Sequence, residues 1–343
     1  MNITLILGNG FDLNMGLPTA YSDFYQYYLK LETPSSTDII TKKIKEEPET
    51  WADLERMMGE VSSEYFQDSK VYVEAYENVR DQLATYLKEV DKIIIPNLEN
   101  HTIRFFSDIL KIGTYLDNKP KREYRNFLLG LDTSEINLSI VNFNYTSTIE
   151  KMRNLHDSYE KDKQKIVLKQ IEHVHQNLDN GILMGVNDIS QIKNEQFRKL
   201  FDVRSLMVKP FINQEFAADN DTRSFAAIEN ADVIILFGTS LGVTDQIWWN
   251  FIRFNVFSKN KRIIYCPHEK GDNAPLNATD LIRKNHNFKT ELAARLSGDN
   301  SEQQILYNKI YPIRNNLLFN LGNNSAYRIR VRNVVISKLL SNK

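Results

Sequence analysis

The feature that most constrains this fold is an apolar run that stops at a small polar loop, followed at once by a helical pattern. Asn2–Leu7 is apolar and partly β-branched and ends at Gly8, as a buried strand followed by a loop does. The same order recurs at Asn142 and at Gly238. Strands that alternate with helices predict an α/β fold whose sheet is mainly parallel and covered on both faces by helices.

A long helical segment separates the first of these strands from the second. Apolar residues at helical spacing, such as Val79, Leu83 and Leu87, predict amphipathic helices from about residue 22 to about residue 131. We expect this segment to be an insertion, a cap over the sheet edge, within one domain spanning residues 1–343. No repeat or low-complexity linker marks a boundary. The other predicted strands are Lys165–His175, with Gly181–Met184 as a candidate partner, Ala231–Phe237 and Lys261–Cys266.

Composition excludes several function classes. The chain carries 43 basic and 44 acidic residues, which argues against stable binding of nucleic acid, because such proteins show a basic surplus. No apolar run is long enough to cross a membrane, and the N-terminus does not resemble a signal peptide. The single cysteine, Cys266, cannot form an internal disulfide and fits a reducing compartment. We therefore expect a cytoplasmic protein without a membrane partner.

The three strand-end loops are where we expect a ligand. They comprise residues 8–12, 142–146 and 238–245, and in a parallel sheet all three leave from the carboxyl edge, where open α/β sheets bind ligands. Glycine lets backbone amides approach a phosphate, and a helix N-terminus favours negative charge. Gly8 and Gly10 are the first two glycines of a dinucleotide-binding fingerprint, although Leu13 occupies the third position. Together the loops predict a nucleotide pocket.

The polar residues of these segments also have ordinary structural explanations. Asp12 could be a turn or cap residue, Asn144 could bond to its own backbone, and Asp245 could cap a helix. Asp53 stands three residues after Thr50, which is capping-box spacing. Glu55 lies beside the apolar helix face, and we expect it to be solvated.

Two of the six histidines, His173 and His175, are two residues apart on a predicted strand, so they share one face. A metal site needs a third ligand at recognisable spacing, and none is visible, so we expect no metal. Each histidine is then either a structural residue or a general base, since imidazole titrates near neutral pH.

Gly8–Asp12, together with Gly16–Phe24, closely resembles the opening of AbiH, a bacterial phage abortive-infection family. The later motifs of that family are similar to four segments that follow in the same order, Trp51–Glu55, Asn142–Thr146, His173–His175 and Phe237–Gly242. AbiH proteins in turn resemble the sirtuin-like fold distantly, which binds NAD in a Rossmann-like sheet. The resemblance therefore implies a single sirtuin-like α/β domain with NAD as ligand or substrate.

The resemblance also implies roles for individual residues. The catalytic pair would be Asn144 and His175, and the cofactor-binding residues would be Gly8, Asn9, Gly10, Phe11, Asp12, Gly238, Ser240 and Asp245. Three residues depart from the wider pattern. Gln176 replaces the glycine expected after the histidine, Asp12 replaces a small residue, and Thr146 replaces an aspartate.

The sirtuin zinc ribbon is absent because one cysteine cannot supply four ligands, so the resemblance favours NAD hydrolysis over protein deacylation. The expected function is an abortive-infection effector that hydrolyses NAD to nicotinamide and ADP-ribose. Two alternatives remain: a non-catalytic nucleotide-binding sensor or assembly module, and a nuclease-type toxin, against which the balanced charge argues. The wider group suggests a phage-derived trigger and homo-oligomers.

Overall fold

The computed structural model describes residues 1–48, 51, 53–215, 219–267, 277–314, 318–319, 321 and 325–341. The strands are β1 (Asn2–Leu7), β2 (Glu135–Asn142), β3 (Ser158–Lys161), β4 (Gln164–His173), β5 (Val233–Phe237), β6 (Arg262–Cys266) and β7 (Ile310–Pro312). The helices up to β2 are α1 (Gly10–Asn14), α2 (Tyr21–Tyr28), α3 (Asp38–Glu46), α4 (Leu54–Val61), α5 (Ser69–Asp91), α6 (Leu98–Leu110) and α7 (Asn118–Leu128). The later helices are α8 (Thr148–Leu155), α9 (Phe201–Met207), α10 (Lys209–Glu215), α11 (Asn220–Asn230), α12 (Gln246–Ser258), α13 (Ala278–Leu296), α14 (Asn300–Lys309) and α15 (Ser325–Ser341).

The seven strands form one sheet in the order β3-β4-β2-β1-β5-β6-β7. All neighbouring pairs are parallel except β3 and β4, which form an antiparallel hairpin. The predicted mainly parallel α/β sheet is therefore confirmed. The strands that follow β1 in the chain, β2 to β4, lie on one side of it, and β5 to β7 lie on the other. The carboxyl end of β1 is therefore a topological switch point.

The predicted pairing of Gly181–Met184 with β4 is wrong. Residues 158–161 take that edge instead, through a two-residue turn at Asp162 and Lys163 whose φ angles are 52° and 65°. Such a left-handed pair is typical of the two-residue turn that joins adjacent antiparallel strands, so the local sequence favours this hairpin. The last strand, β7, was also not predicted, because three residues carry too little periodicity to be recognised.

Helices cover both faces of the sheet, as predicted. Alternate residues of β1 point to opposite sides, so Leu5 and Ile6 belong to different apolar cores. The core that contains Leu5 is shared with α2, α5, α6 and α15, and the core that contains Ile6 is shared with α11 to α14. No described helix is long and apolar enough to span a membrane.

All the described secondary-structure elements between β1 and β2 are helices, as the sequence predicts for residues 22–131. Its helices pack through buried aromatic rings, for example Tyr27 against Tyr86 at 5.7 Å between ring centroids. The Tyr86 hydroxyl donates to the carbonyl oxygen of Pro18 at 3.0 Å and so ties α5 to the segment that follows α1. This places the helical segment beside the carboxyl edge of the sheet.

Candidate functional site

The carboxyl ends of four parallel strands lie at one level. Leu7 pairs with both Asn142 and Phe237, and Asn142 pairs with His173. The loops that follow these residues therefore leave the sheet side by side. They border a cavity of about 540 Å³, which is within the usual size range of small-molecule sites.

Eight of the ten predicted site residues line this cavity: Gly8, Asn9, Asp12, Asn144, His175, Gly238, Ser240 and Asp245. The other two, Gly10 and Phe11, do not. The Phe11 side chain is fully buried in an aromatic cluster, with its ring centroid 5.8 Å from that of Phe105 and 6.3 Å from that of Phe237. Its side chain therefore belongs to the core and not to a ligand site.

The glycines of the first loop are required by close backbone packing against the third loop. A Cβ on Gly8 would lie 2.5 Å from the carbonyl oxygen of Gly238, and a Cβ on Gly10 would lie 2.5 Å from the Gly238 Cα. Gly238 itself has φ of +69°, which a residue with a side chain rarely adopts. In the sequence, these glycines suggested the close approach of a phosphate. The structure supplies another reason for glycine at these positions, which is the close approach of the first and third loops.

Three amides of the first loop are already engaged within the protein. Gly8 N donates to the carbonyl oxygen of Phe237 at 2.9 Å, Gly10 N to that of Gly238 at 3.0 Å, and Phe11 N to that of Gly8 at 3.0 Å. A phosphate in the cavity could not use these three donors. The side chain of Asn9 is also engaged, because its Nδ2 donates to the carbonyl oxygen of Thr19 at 3.1 Å.

Asp12 is a buried carboxyl in the cavity wall, only 1% exposed. The Thr146 hydroxyl donates to its Oδ2 at 2.5 Å, whereas its Oδ1 is buried with no hydrogen-bond partner among the described residues. Burial raises the pKa of Asp12 to about 6, although hydrogen bonds from Thr146 and Thr148 oppose the shift. Asp12 and Thr146 both differ from the residues of the sirtuin-like pattern, and in this structure the two side chains are hydrogen-bonded to each other.

Asn144 lies beside the first loop and joins it to the second. Its Nδ2 donates to the carbonyl oxygen of Gly8 at 3.2 Å, and its backbone NH donates to Oδ1 of Asn142 at 3.0 Å. Its carbonyl oxygen accepts from Nδ1 of His173 at 2.8 Å, and Nε2 of His173 lies 2.7 Å from a Glu150 oxygen. His173 has both ring nitrogens engaged and acts as a structural residue.

His175 has a different environment. Its Nε2 lies 3.2 Å from Oδ1 of Asp245, and its ring meets the edge of Phe143 with 5.4 Å between centroids. Its Nδ1 is buried without a hydrogen-bond partner among the described residues. Gln176, the residue after it, has φ of +61°, so the backbone adopts the left-handed conformation that glycine favours, although the side chain differs.

Asp245 also contacts a lysine that sequence reasoning did not find. Nζ of Lys209 lies 3.2 Å from Oδ1 of Asp245 and 2.7 Å from Oε2 of Glu55, and all three side chains are largely buried. Burial would raise the pKa of Asp245, but its interactions with Lys209 and His175 outweigh burial and hold the pKa well below its usual value. Burial would lower the pKa of Lys209, but the two carboxylates outweigh it and raise that pKa. Asp245 is the N-cap residue of α12, yet its side chain makes no capping hydrogen bond.

The expectation that Glu55 is solvated is wrong, because it is 6% exposed and forms the ion pair described above. The amphipathic pattern of α4 places Glu55 at the border of the apolar face, and only the approach of Lys209 shows that it points inward. Asp53 is the N-cap residue of α4, with its side chain accepting from Arg56 N at 3.1 Å. Thr50, its predicted capping-box partner, lies outside the described residues. Both Asp53 and Glu55 line the cavity, so the helical segment contributes to the site.

The third loop is fixed from two sides. Nε1 of Trp249 donates to the carbonyl oxygen of Gly242 at 2.9 Å, and Nη1 of Arg295 donates to that of Ser240 at 2.9 Å. Arg295 and Arg56 both line the cavity. No group of three or more His, Cys, Asp or Glu side chains suited to a metal ion occurs in the part of the chain that the structure describes.

A family model described as bacteriophage abortive infection AbiH matches residues 4–266 of the 343. The chain belongs to the AbiH family. No curated protein matches the chain. AbiH membership makes this a protein of phage abortive infection, as the opening motif predicts. The AbiH match contains β1 from Thr4 onward, β2 to β6 and every predicted site residue, whereas Arg295 and the rest of α13 lie beyond it.

Proposed function

We propose that this AbiH protein is a phage-defence effector that binds NAD in the cavity and hydrolyses it to nicotinamide and ADP-ribose. The observation that carries the proposal is the arrangement of His175, which lines a ligand-sized cavity beside Asn144 with one ring nitrogen held by Asp245 and the other without a partner. A histidine oriented by a carboxylate is the usual arrangement of a general base.

The reaction would break the bond between the nicotinamide nitrogen and C1′ of the ribose. The bonding electron pair goes to the nicotinamide nitrogen, and nicotinamide leaves as a neutral molecule. The ribose develops oxocarbenium character, as in glycoside hydrolysis. A water oxygen then bonds to C1′, and the water proton goes to Nδ1 of His175, which is buried in the structure and has to become accessible when NAD binds. Asp245 holds Nε2 as the protonated nitrogen, which keeps Nδ1 free as the acceptor.

The charges of the cavity suit such a transition state. Four carboxyl groups line it, those of Asp12, Asp53, Glu55 and Asp245. A wall rich in carboxylates stabilises the positive charge of the pyridinium ring and of the oxocarbenium centre. Asn144, between the first and second loops, is proposed to orient the ribose hydroxyls and the water.

The second candidate function is that of a non-catalytic nucleotide sensor. The observation that favours it is the burial of Nδ1 of His175, because a buried nitrogen is not exposed to a water in the cavity and does not act as its base. A sensor would bind NAD and release no nicotinamide.

Purified protein should release nicotinamide from NAD, measured by chromatography, and bind NAD, measured by calorimetry. His175→Ala and Asn144→Ala should fold, retain NAD binding and lose about 10²–10⁴ in turnover, because a base or orienting group acts mainly in the transition state. The matched control is His286→Ala, since His286 is exposed and lies outside the cavity wall. Binding without nicotinamide release would establish the sensor instead. No binding of NAD or ADP-ribose would overturn the pocket itself.

A further inference from the structure

We infer that Arg295 is the phosphate-contacting residue of the cavity and selects nucleotides that carry a pyrophosphate. The inference rests on the proposed function, because it assumes that the cavity binds a nucleotide. It concerns a residue of α13 beyond the AbiH match, where the sequence offered no motif.

The first step is that three amides of the glycine loop are not available to a phosphate. The Gly8, Gly10 and Phe11 amides bond to the carbonyl oxygens of Phe237, Gly238 and Gly8, respectively, at 2.9–3.0 Å. Four carboxyl groups in the wall would repel a dianionic pyrophosphate unless cations were placed near it. A cationic side chain beside the cavity would offset this repulsion and would add a charged hydrogen bond to the pyrophosphate.

The second step is to identify the cationic side chains that line the cavity. Among the described residues that line the cavity, the arginines are Arg56 and Arg295, and no lysine is present. Lys209 lies behind the wall, committed to Glu55 and Asp245. Each arginine is paired with a glutamate one turn away on its own helix, Arg56 with Glu60 and Arg295 with Glu291. The difference is that Arg295 also donates to a strand-end loop, at the Ser240 carbonyl oxygen.

The third step is the orientation of Arg295. Its Nη1 donates to the Ser240 carbonyl at 2.9 Å, and its Nη2 lies 2.7 Å from an oxygen of Glu291 one helical turn earlier. A guanidinium has five N–H donors, so donors remain for a phosphate while these two contacts fix its direction. The side chain is 46% exposed, so a ligand can reach it. Ser240 belongs to the third loop, to which the family resemblance assigns nucleotide binding. Arg295 therefore lies beside a loop that is expected to contact the nucleotide.

The test compares ADP-ribose, which has a pyrophosphate, with adenosine, which has none, by calorimetry on the full chain. Arg295→Gln should weaken ADP-ribose binding about tenfold to a hundredfold, since a charged hydrogen bond contributes about 1.5–3 kcal/mol. Adenosine affinity should be unchanged. The salt dependence of ADP-ribose binding should become shallower, and Arg295→Lys should restore part of the affinity because it keeps the charge. Arg283→Gln is the control, because Arg283 lies on the same helix, is 71% exposed and lies outside the cavity wall.

Unchanged ADP-ribose affinity in Arg295→Gln would overturn the inference and leave the proposed function intact, because the wild type would still bind and hydrolyse NAD. An equal loss for ADP-ribose and adenosine would also overturn it, since it would reflect loss of the Ser240 contact. Absence of binding of either ligand to the wild type would instead refute the proposed function.

Discussion

Replacement of Asp12 by asparagine should stabilise this protein at neutral pH. Asp12 is buried, and its pKa of about 6 lies above the ordinary value of 3.8 because burial penalises the ionised form. Ionisation of the folded protein at neutral pH therefore costs about 3 kcal/mol, at about 1.4 kcal/mol for each unit of pKa. Asparagine has the same shape, removes the charge and still accepts the hydrogen bond that Thr146 donates to Oδ2.

The sign of the pH dependence follows from where the proton is bound. Between about pH 4 and about pH 6 the folded protein keeps the Asp12 proton and the unfolded chain has lost it, so wild-type stability falls as the pH rises. Asp91 on α5 adds to this shift, Lys151 on α8 opposes it, and both are retained in the variant. The carboxyl of Asp245 has a lowered pKa and contributes the opposite slope, but it is common to both proteins and cancels in the comparison.

The assay is urea unfolding of the wild type and Asp12→Asn at a series of pH values, which compares the two free energies of unfolding. The variant should match the wild type near pH 4 and exceed it by up to about 3 kcal/mol above pH 7. A difference that stays constant with pH would show that Asp12 does not titrate in this window. A variant that is less stable at neutral pH would show that the ionised carboxylate has favourable partners, contrary to its unpartnered Oδ1.

Two further substitutions test the architecture of the site. Lys209→Met should destabilise the protein by about 3–5 kcal/mol, because it removes the lysine that pairs with the buried Glu55 carboxylate and leaves Asp245 with His175 alone. Urea unfolding would measure this, with the exposed Lys199→Met as the control, and equal effects of the two would contradict the ion-pair argument. Gly10→Ala should cost about 1–3 kcal/mol, because its Cβ would lie 2.5 Å from the Gly238 Cα. Gly130→Ala is the control and should leave the melting temperature unchanged, because its Cβ would meet no atom closer than 3.9 Å. A melting temperature of Gly10→Ala equal to that of the wild type would refute the close approach of Gly10 to Gly238.

The sequence by itself determined five of the seven strands, β1, β2, β4, β5 and β6, and the position of the cavity. Asn2–Leu7, Glu135–Asn142 and Val233–Phe237 are apolar runs that end in small polar loops, and local pattern alone predicts strands there. Parallel neighbours must end at the same edge, so the convergence of their loops follows from strand direction without knowledge of any contact. For the same reason the three loop segments, including Asn144 in the second, could be placed beside a ligand site in advance.

Only the tertiary structure decided which charged residues belong to the site. Lys209 and Glu55 are 154 positions apart, and neither has a local pattern that distinguishes an inward charge from a solvated one. Arg295 approaches Ser240 across 55 positions, beyond the segment that the family match covers. Burial of a charge depends on the partner that meets it, and that partner is set by the packing of distant elements. Gly10 likewise depends on a distant element. The sequence shows that residue 10 is glycine, but only the structure shows that the Gly238 backbone leaves no room for a side chain there.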